Sequence, residues 1–212
     1  MRLGGICMSN ELVEKVIDSL ERNNITAKYF CSVMEAKQYL LETIGSNKKV
    51  GFGGSMTLYD MNIHQELKEL GNEIYWHWLE VTPEGRKAAL DHAAKADVYL
   101  TSANAITLQG EIVNVDGNGN RITAMIYGPE KSIIVIGVNK ISNDLIDAFD
   151  RLRKQASPPN SKRLNRKTPC AVTGECSDCN SPERICNVTT IIHKKPGMID
   201  MEVVLVGESL GY

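Results

Sequence analysis

Hydrophobic and polar positions along this chain follow two periods that take turns. Leu12, Val13, Val16, Ile17 and Leu20 recur at three- and four-residue spacing, which predicts a helix with one apolar face, capped by Ser9 ahead of Glu11. TAKYFC, residues 26–31, reads as a strand, and Ser32 with Glu35 forms a capping-box pattern in front of a second helix over 33–44. The β-prone run KKVGF then breaks into glycines. A helix over 63–70 stops at Gly71, EIYWHWL reads as a strand, Pro83 opens a helix to about residue 96, and DVYLTS is a strand again.

The pattern then shifts. AITLQGEIVNVDG reads as two short strands joined at Gln109-Gly110, an antiparallel excursion. KSIIVIGVNK is apolar without alternation, as a strand buried on both faces must be, and a helix over 143–155 follows it. TTIIHKK and MEVVLVGE read as strands returning to the sheet. Repeated β-then-α units of this size predict an α/β fold, a parallel or mixed Rossmann-like sheet covered by helices. The expected organisation is an α/β body over 1–156, a basic linker with a cysteine segment inserted over 157–187, and closing strands over 188–212.

Composition narrows the function classes. The 212 residues are 42% hydrophobic and 24% charged, with a net charge of −2, so there is no global pull toward nucleic acid or an anionic membrane. The longest strongly apolar run, 133–138, is far short of the roughly 20 residues a membrane-spanning helix needs, and the expected compartment is the cytoplasm. Charge is segregated in one place: residues 151–167 hold seven Lys or Arg and no acid, around a Pro-Pro. That stretch reads as a solvated connection or a docking arm. A nucleic-acid role would need interleaved aromatics for stacking, and none are there.

Four of the six cysteines fall within seventeen positions, as Cys170-x5-Cys176-x2-Cys179-x6-Cys186. In a reducing compartment clustered thiols are more often metal ligands or redox groups than disulfides, because converging thiolates repel unless a cation neutralises them. Ser181 and Pro182 read as the start of a short helical turn carrying Cys186 back toward Cys179. Zinc knuckles usually present two C-x2-C pairs and only one is present, whereas iron–sulfur clusters accept less regular spacing. An iron–sulfur cluster is therefore the leading expectation, of the four-iron, four-sulfide type, with a structural zinc as the alternative.

Two further stretches carry candidate chemistry. GFGGS, 51–55, follows a strand and precedes a helix, so its backbone N–H groups could cradle a small anion, although neither the dinucleotide nor the P-loop glycine pattern is completed. NVDGNGNR offers Asp116, Asn118 and Asn120 at calcium-loop spacing, but Arg121 stands where that loop needs glycine and Tyr127 where it needs glutamate, so it reads as a turn. Arg121 is left as a candidate fork for a carboxylate or phosphate. The four histidines show no metal-type pairing.

VGFGGSMTL, TSANAITLQGEIVNVDGNGNRITAMIYGP and IIVIGVNKI, in this order and spacing, together resemble the LUD domain, the lactate-utilization family of the LutC and YkgG type. The resemblance implies a fold similar to the ribose-phosphate isomerase, glucosamine-phosphate deaminase and CoA-transferase group, with the ligand site at the strand ends. It implies one pocket faced by Gly53, Gly54, Ser55, Ser102, Asn104, Asn114, Asp116, Asn120, Arg121, Asn139 and Lys140, and names no catalyst. The expected ligand is a small anionic molecule, a hydroxy acid such as lactate, with iron–sulfur subunits as partners and self-association left open. A CoA- or sugar-phosphate-binding domain with a structural zinc at Cys170, Cys176, Cys179 and Cys186 is the competing expectation.

Overall fold

The computed structural model describes residues 11–212; the Ser9 cap lies outside them. The chain runs α1 (Glu11–Arg22), β1 (Thr26–Phe30), α2 (Val33–Ile44), β2 (Lys49–Phe52), α3 (Met56–Met61), α4 (Ile63–Glu69), β3 (Glu73–Tyr75), α5 (Pro83–Ala93) and β4 (Val98–Thr101). It continues through β5 (Ala105–Thr107), β6 (Ile112–Asp116), α6 (Asn120–Ile126), β7 (Lys131–Gly137), β8 (Ile141–Ser142) and α7 (Leu145–Arg151). The last elements are α8 (Ser157–Arg163), α9 (Pro169–Thr173), β9 (Val188–Ile192) and β10 (Asp200–Val206).

Six strands form an all-parallel sheet in the order β1-β10-β7-β4-β2-β3. The two unbroken apolar runs occupy its middle: β7 from Ser132 and β10 from Met201 are buried along their length, since helices cover both faces. On one face α1 lays Val13, Val16 and Leu20 against Ile134, Ile136, Val203 and Leu205; on the other, Leu40, Leu58 and Leu67 meet Ile133, Val135, Val204 and Val206. Adjacent residues of one strand thus serve opposite cores, as the pleat requires. The antiparallel excursion is real, with Ala105 and Ile106 of β5 opposite Val113 and Ile112 of β6. It belongs to a second sheet, β8-β5-β6-β9.

Local signals explain most boundaries. Ser32 accepts from the Glu35 amide at 3.2 Å while the Glu35 carboxylate accepts from the Ser32 amide at 3.3 Å, the reciprocal cap that starts α2. Gly51 lets α5 ride directly on β2, because a side chain there would meet the Ala93 backbone at 2.7 Å.

Three expectations change. EIYWHWL is a strand only to Tyr75; Trp76 then turns inward, 1% exposed, and stacks between Phe52 at 5.1 Å and Trp78 at 5.2 Å. The helix expected over 143–155 is α-helical only as α7 and continues as a π-helical turn, Leu152–Ala156. The basic stretch behind it is no open linker. Ser157, Pro158 and Ser161 of α8 are buried, and its prolines fall in the first turn, where a missing N–H breaks no helical bond.

Candidate functional site

Gly53 to Ser55 follow β2, Ser102 to Asn104 follow β4, and the 3-10 turn Val138–Lys140 follows β7, so all three segments gather at the C-terminal edge of the parallel sheet. Above that edge opens a cleft of about 1220 Å3 lined by Gly54, Ser55, Ser102, Asn104, Asp116, Asn120, Arg121 and Lys140. The two loop glycines divide the work. A side chain at Gly53 would meet the Thr101 hydroxyl at 2.6 Å and the Tyr99 hydroxyl at 3.0 Å, whereas one at Gly54 would point toward Trp78 and His77 at ordinary contact distances of 3.4 and 3.5 Å. Gly53 is a packing requirement, and Gly54 borders the cleft. Ser55 caps α3 by accepting from the Leu58 amide at 3.3 Å.

Lys140 lies on the cleft floor at 3% exposure. Its Nζ donates to the hydroxyls of Ser102 at 3.0 Å and Thr57 at 3.1 Å, and no carboxylate lies within ion-pair distance of it among the described residues. Burial, and after it the charges of Arg151 and Arg121, push the amine down from the ordinary lysine value to about 7. Arg151, 6% exposed, donates Nε to the Asn104 carbonyl at 3.0 Å and Nη1 to Gln155 at 2.6 Å; its Nη2 is buried without a partner. Three cations therefore converge here; Asp116 pairs with Arg121, and Asp60, beyond ion-pair distance, opposes the lowering at Lys140 less strongly than burial and the two arginines drive it.

The Arg121 fork is not available to a ligand. Nη1 donates to the Ser102 carbonyl at 2.9 Å and to Asn114 at 2.8 Å, Nη2 to Asn104 at 2.8 Å and the Val115 carbonyl at 2.7 Å, and Nε faces Asp116 at 3.6 Å. With 11% of its side chain exposed, it is a cross-link. Asn114 is wholly buried as one of its acceptors. Asn139 turns to the segment after β10 and accepts from the Leu210 amide at 3.0 Å, while the Leu210 carbonyl accepts from Thr57 at 3.3 Å. Gly53, Asn114 and Asn139 thus build the site's walls and do not line it. Thr57 and Arg151 were missed by sequence reasoning: Thr57 only continues the GGSMT run, and Arg151 was counted with a stretch read as solvated, although it falls three residues after the buried Ala148 of α7.

A model of the LUD domain matches residues 13–206. The chain belongs to the LUD domain family. A crystal structure of a DUF162 family protein from Deinococcus radiodurans shares the fold, with a TM-score of 0.55 at 14% identity over 93% of this chain and 97% of that one. A search of curated proteins finds no match.

In this LUD protein the cysteine segment forms one wall of the cleft. The Asn187 amide donates to the Asp116 carbonyl at 2.9 Å and its side chain to Gly117 at 3.0 Å, and Pro182, Glu183, Arg184 and Ile185 line the opening. Cys170 is buried in α9; Cys176, Cys179 and Cys186 are half-buried. Residues 182–183 make a turn and no helix. Arg184 stitches the loop, donating to the carbonyls of Cys179 at 2.7 Å and Cys186 at 3.1 Å and pairing with Asp178 at 2.8 Å. The Cys186 thiol is raised by burial and, less strongly, by the neighbouring Cys176 and Cys170. Four thiols suit iron–sulfur or zinc chemistry, yet among the described residues no group of three or more His, Cys, Asp or Glu side chains is arranged to hold a metal ion.

Two outcomes follow. Arg121→Lys cannot reproduce the planar fork, so it should lower stability by roughly 2–4 kcal/mol through buried acceptors left unmet, checked by chemical denaturation. Lys140 keeps its proton up to the ordinary lysine value of 10.5 when unfolded and only to about 7 when folded. The unfolded chain therefore binds more protons between those values, and stability rises with pH across that window. Lys140→Met should flatten that rise in denaturation curves compared at the two ends.

Proposed function

We propose that this LUD protein binds a small carboxylate of the lactate and pyruvate kind on the cleft floor and serves as a component of lactate oxidation. The family is associated with lactate utilization. The observation that carries the reading is Lys140, buried on the cleft floor with Arg151 buried behind the lining close enough to act on its charge, and neither in an ion pair with a carboxylate among the described residues. Buried charge is costly unless it is answered, and an anion seated on that floor would answer it. The hydroxyls of Ser102 and Thr57, already beside Lys140, supply further donors once their own bonds rearrange.

A second reading has its own support. About 1220 Å3 is far more space than a three-carbon acid fills, and Arg86, Lys87, Arg163 and Arg166 line the outer part of the cleft. Those cations suit a larger phosphorylated molecule, of the CoA or sugar-phosphate class, bound above the floor. Calorimetry with lactate, pyruvate and CoA separates the two. The first reading expects saturable binding of lactate or pyruvate, weakened about tenfold or more by Gly54→Val at unchanged melting temperature; binding of CoA alone would overturn it.

We extend the proposal to the cysteine segment as the redox part of the protein. Its support is the donor set itself and the position of Cys186 between Ile185 and Asn187, both on the cleft wall. Forming a ligand shell would require the thiols to draw together beyond their present arrangement. Anaerobic purification should yield iron with sulfide, both lost in Cys176→Ser and in Cys186→Ser. Zinc without sulfide would establish the structural-metal alternative, and a protein with neither would leave the segment as a plain wall.

A further inference from the structure

We propose that the Lys140 amine attacks the carbonyl carbon of a 2-oxo acid seated in the cleft and forms a reversible imine with it. The inference rests on the reading that the floor takes a small carboxylate, and it names the oxidised member of the lactate and pyruvate pair as the one held covalently.

Three observations converge on it. A lysine is nucleophilic only as the neutral amine, and Lys140 sits where the ammonium is disfavoured: 3% exposed, with no carboxylate within ion-pair distance among the described residues, and with Arg151 and Arg121 repelling its charge more strongly than the more distant Asp60 attracts it. Desolvation together with neighbouring cations is a recognised way to activate such a lysine. The second observation is a donor count. An ammonium has three N–H groups to satisfy, and Nζ has two hydrogen-bond acceptors, Ser102 at 3.0 Å and Thr57 at 3.1 Å. A neutral amine donates both its protons to these hydroxyls and keeps its lone pair free. The third is access, because Lys140, Ser102 and Thr57 all line the same cleft.

The step balances without any added oxidant or reductant. The nitrogen lone pair forms an N–C bond to the keto carbon while the C=O pair moves onto oxygen, which takes up one of the two amine protons to give the neutral carbinolamine. The second amine proton then passes to the same oxygen, the C–O bond breaks as the nitrogen lone pair forms C=N, and the oxygen leaves as water. Ser102 and Thr57, whose hydroxyls lie 3.4 Å from each other, are placed to pass these protons between nitrogen and oxygen. Arg151, buried behind the cleft lining with its Nη2 unpartnered, adds positive charge near Lys140 that favours the acid's carboxylate through the field and not by contact. Hydrolysis reverses the sequence and returns the free lysine.

The test is reductive trapping on the full chain. Sodium pyruvate with borohydride should give one adduct per chain, mapped by peptide mass spectrometry to Lys140, with a yield that climbs as pH rises through about 7. Lactate, which has no keto group, should give none, and Lys140→Arg, which keeps the cation, should lose the adduct. Should that variant fold poorly, the wild-type peptide map decides alone: adducts spread over exposed lysines such as Lys87 and Lys95 overturn the proposal. Calorimetric binding of pyruvate without an adduct at Lys140 overturns the covalent step and leaves the carboxylate reading standing. Neither binding nor adduct overturns both.

Discussion

Arg121 donates to the Ser102 carbonyl, just past β4 of the main sheet, and to Asn114 and Val115 of β6 in the smaller one, so one buried guanidinium fastens the two sheets where their ends meet. Asn104 extends the connection, accepting from Arg121 through its side chain and from Arg151 through its carbonyl. The cysteine wall hangs from the same place, because Asn187 is anchored on the backbone of Asp116 and Gly117. Five donors on a rigid plane can hold carbonyls and amides from separate segments at fixed distances, which a single ammonium cannot do. The shape of the cleft therefore depends on a residue that offers nothing to its contents.

The consequence for charge is an imbalance that the protein does not settle internally. Asp116 faces Arg121, while Lys140 and Arg151 make their hydrogen bonds to hydroxyls and carbonyls, with Asp60 acting on Lys140 only from beyond ion-pair distance. The lysine relieves part of the imbalance by giving up its proton readily, as its lowered affinity shows. Site and stability are thus in tension at one spot, which is the usual relation between a preorganised pocket and the fold that bears it.

The sheet and most helices were legible in the sequence because their signals are local or periodic: the capping box at Ser32 and Glu35, the proline at 83, the unbroken apolar runs of β7 and β10. EIYWHWL misled because a run of aromatics suits a strand and an inward turn equally, and only the Phe52 ring across the core decides for the turn. The basic stretch misled for a related reason: a helix with charges on its open side and Ser157, Pro158 and Ser161 beneath has no apolar stripe to announce it. At the cleft, the family likeness pointed to segments that the fold also gathers at the sheet's C-terminal edge, but could not rank their residues. Whether an arginine's fork is free or spent depends on acceptors distant in the chain, and no spacing rule reports that.

The placement of β10 bears on how the protein is made. It lies between β1 and β7, though it follows both in the chain, and it is the strand through which β1 joins the sheet. During synthesis β1 emerges early and, among the described residues, has no strand to pair with until residues 200–206 have appeared, so α1, β1 and α2 wait as an unfinished flank with apolar faces open to solvent. The cysteine segment is also synthesised before the gap closes, since it lies between β7 and β10 in the chain. Assembly is therefore governed by a long-range closure, slow by its topology, and anything that retains the cysteine segment in a wrong arrangement prolongs the time that flank spends exposed to other chains.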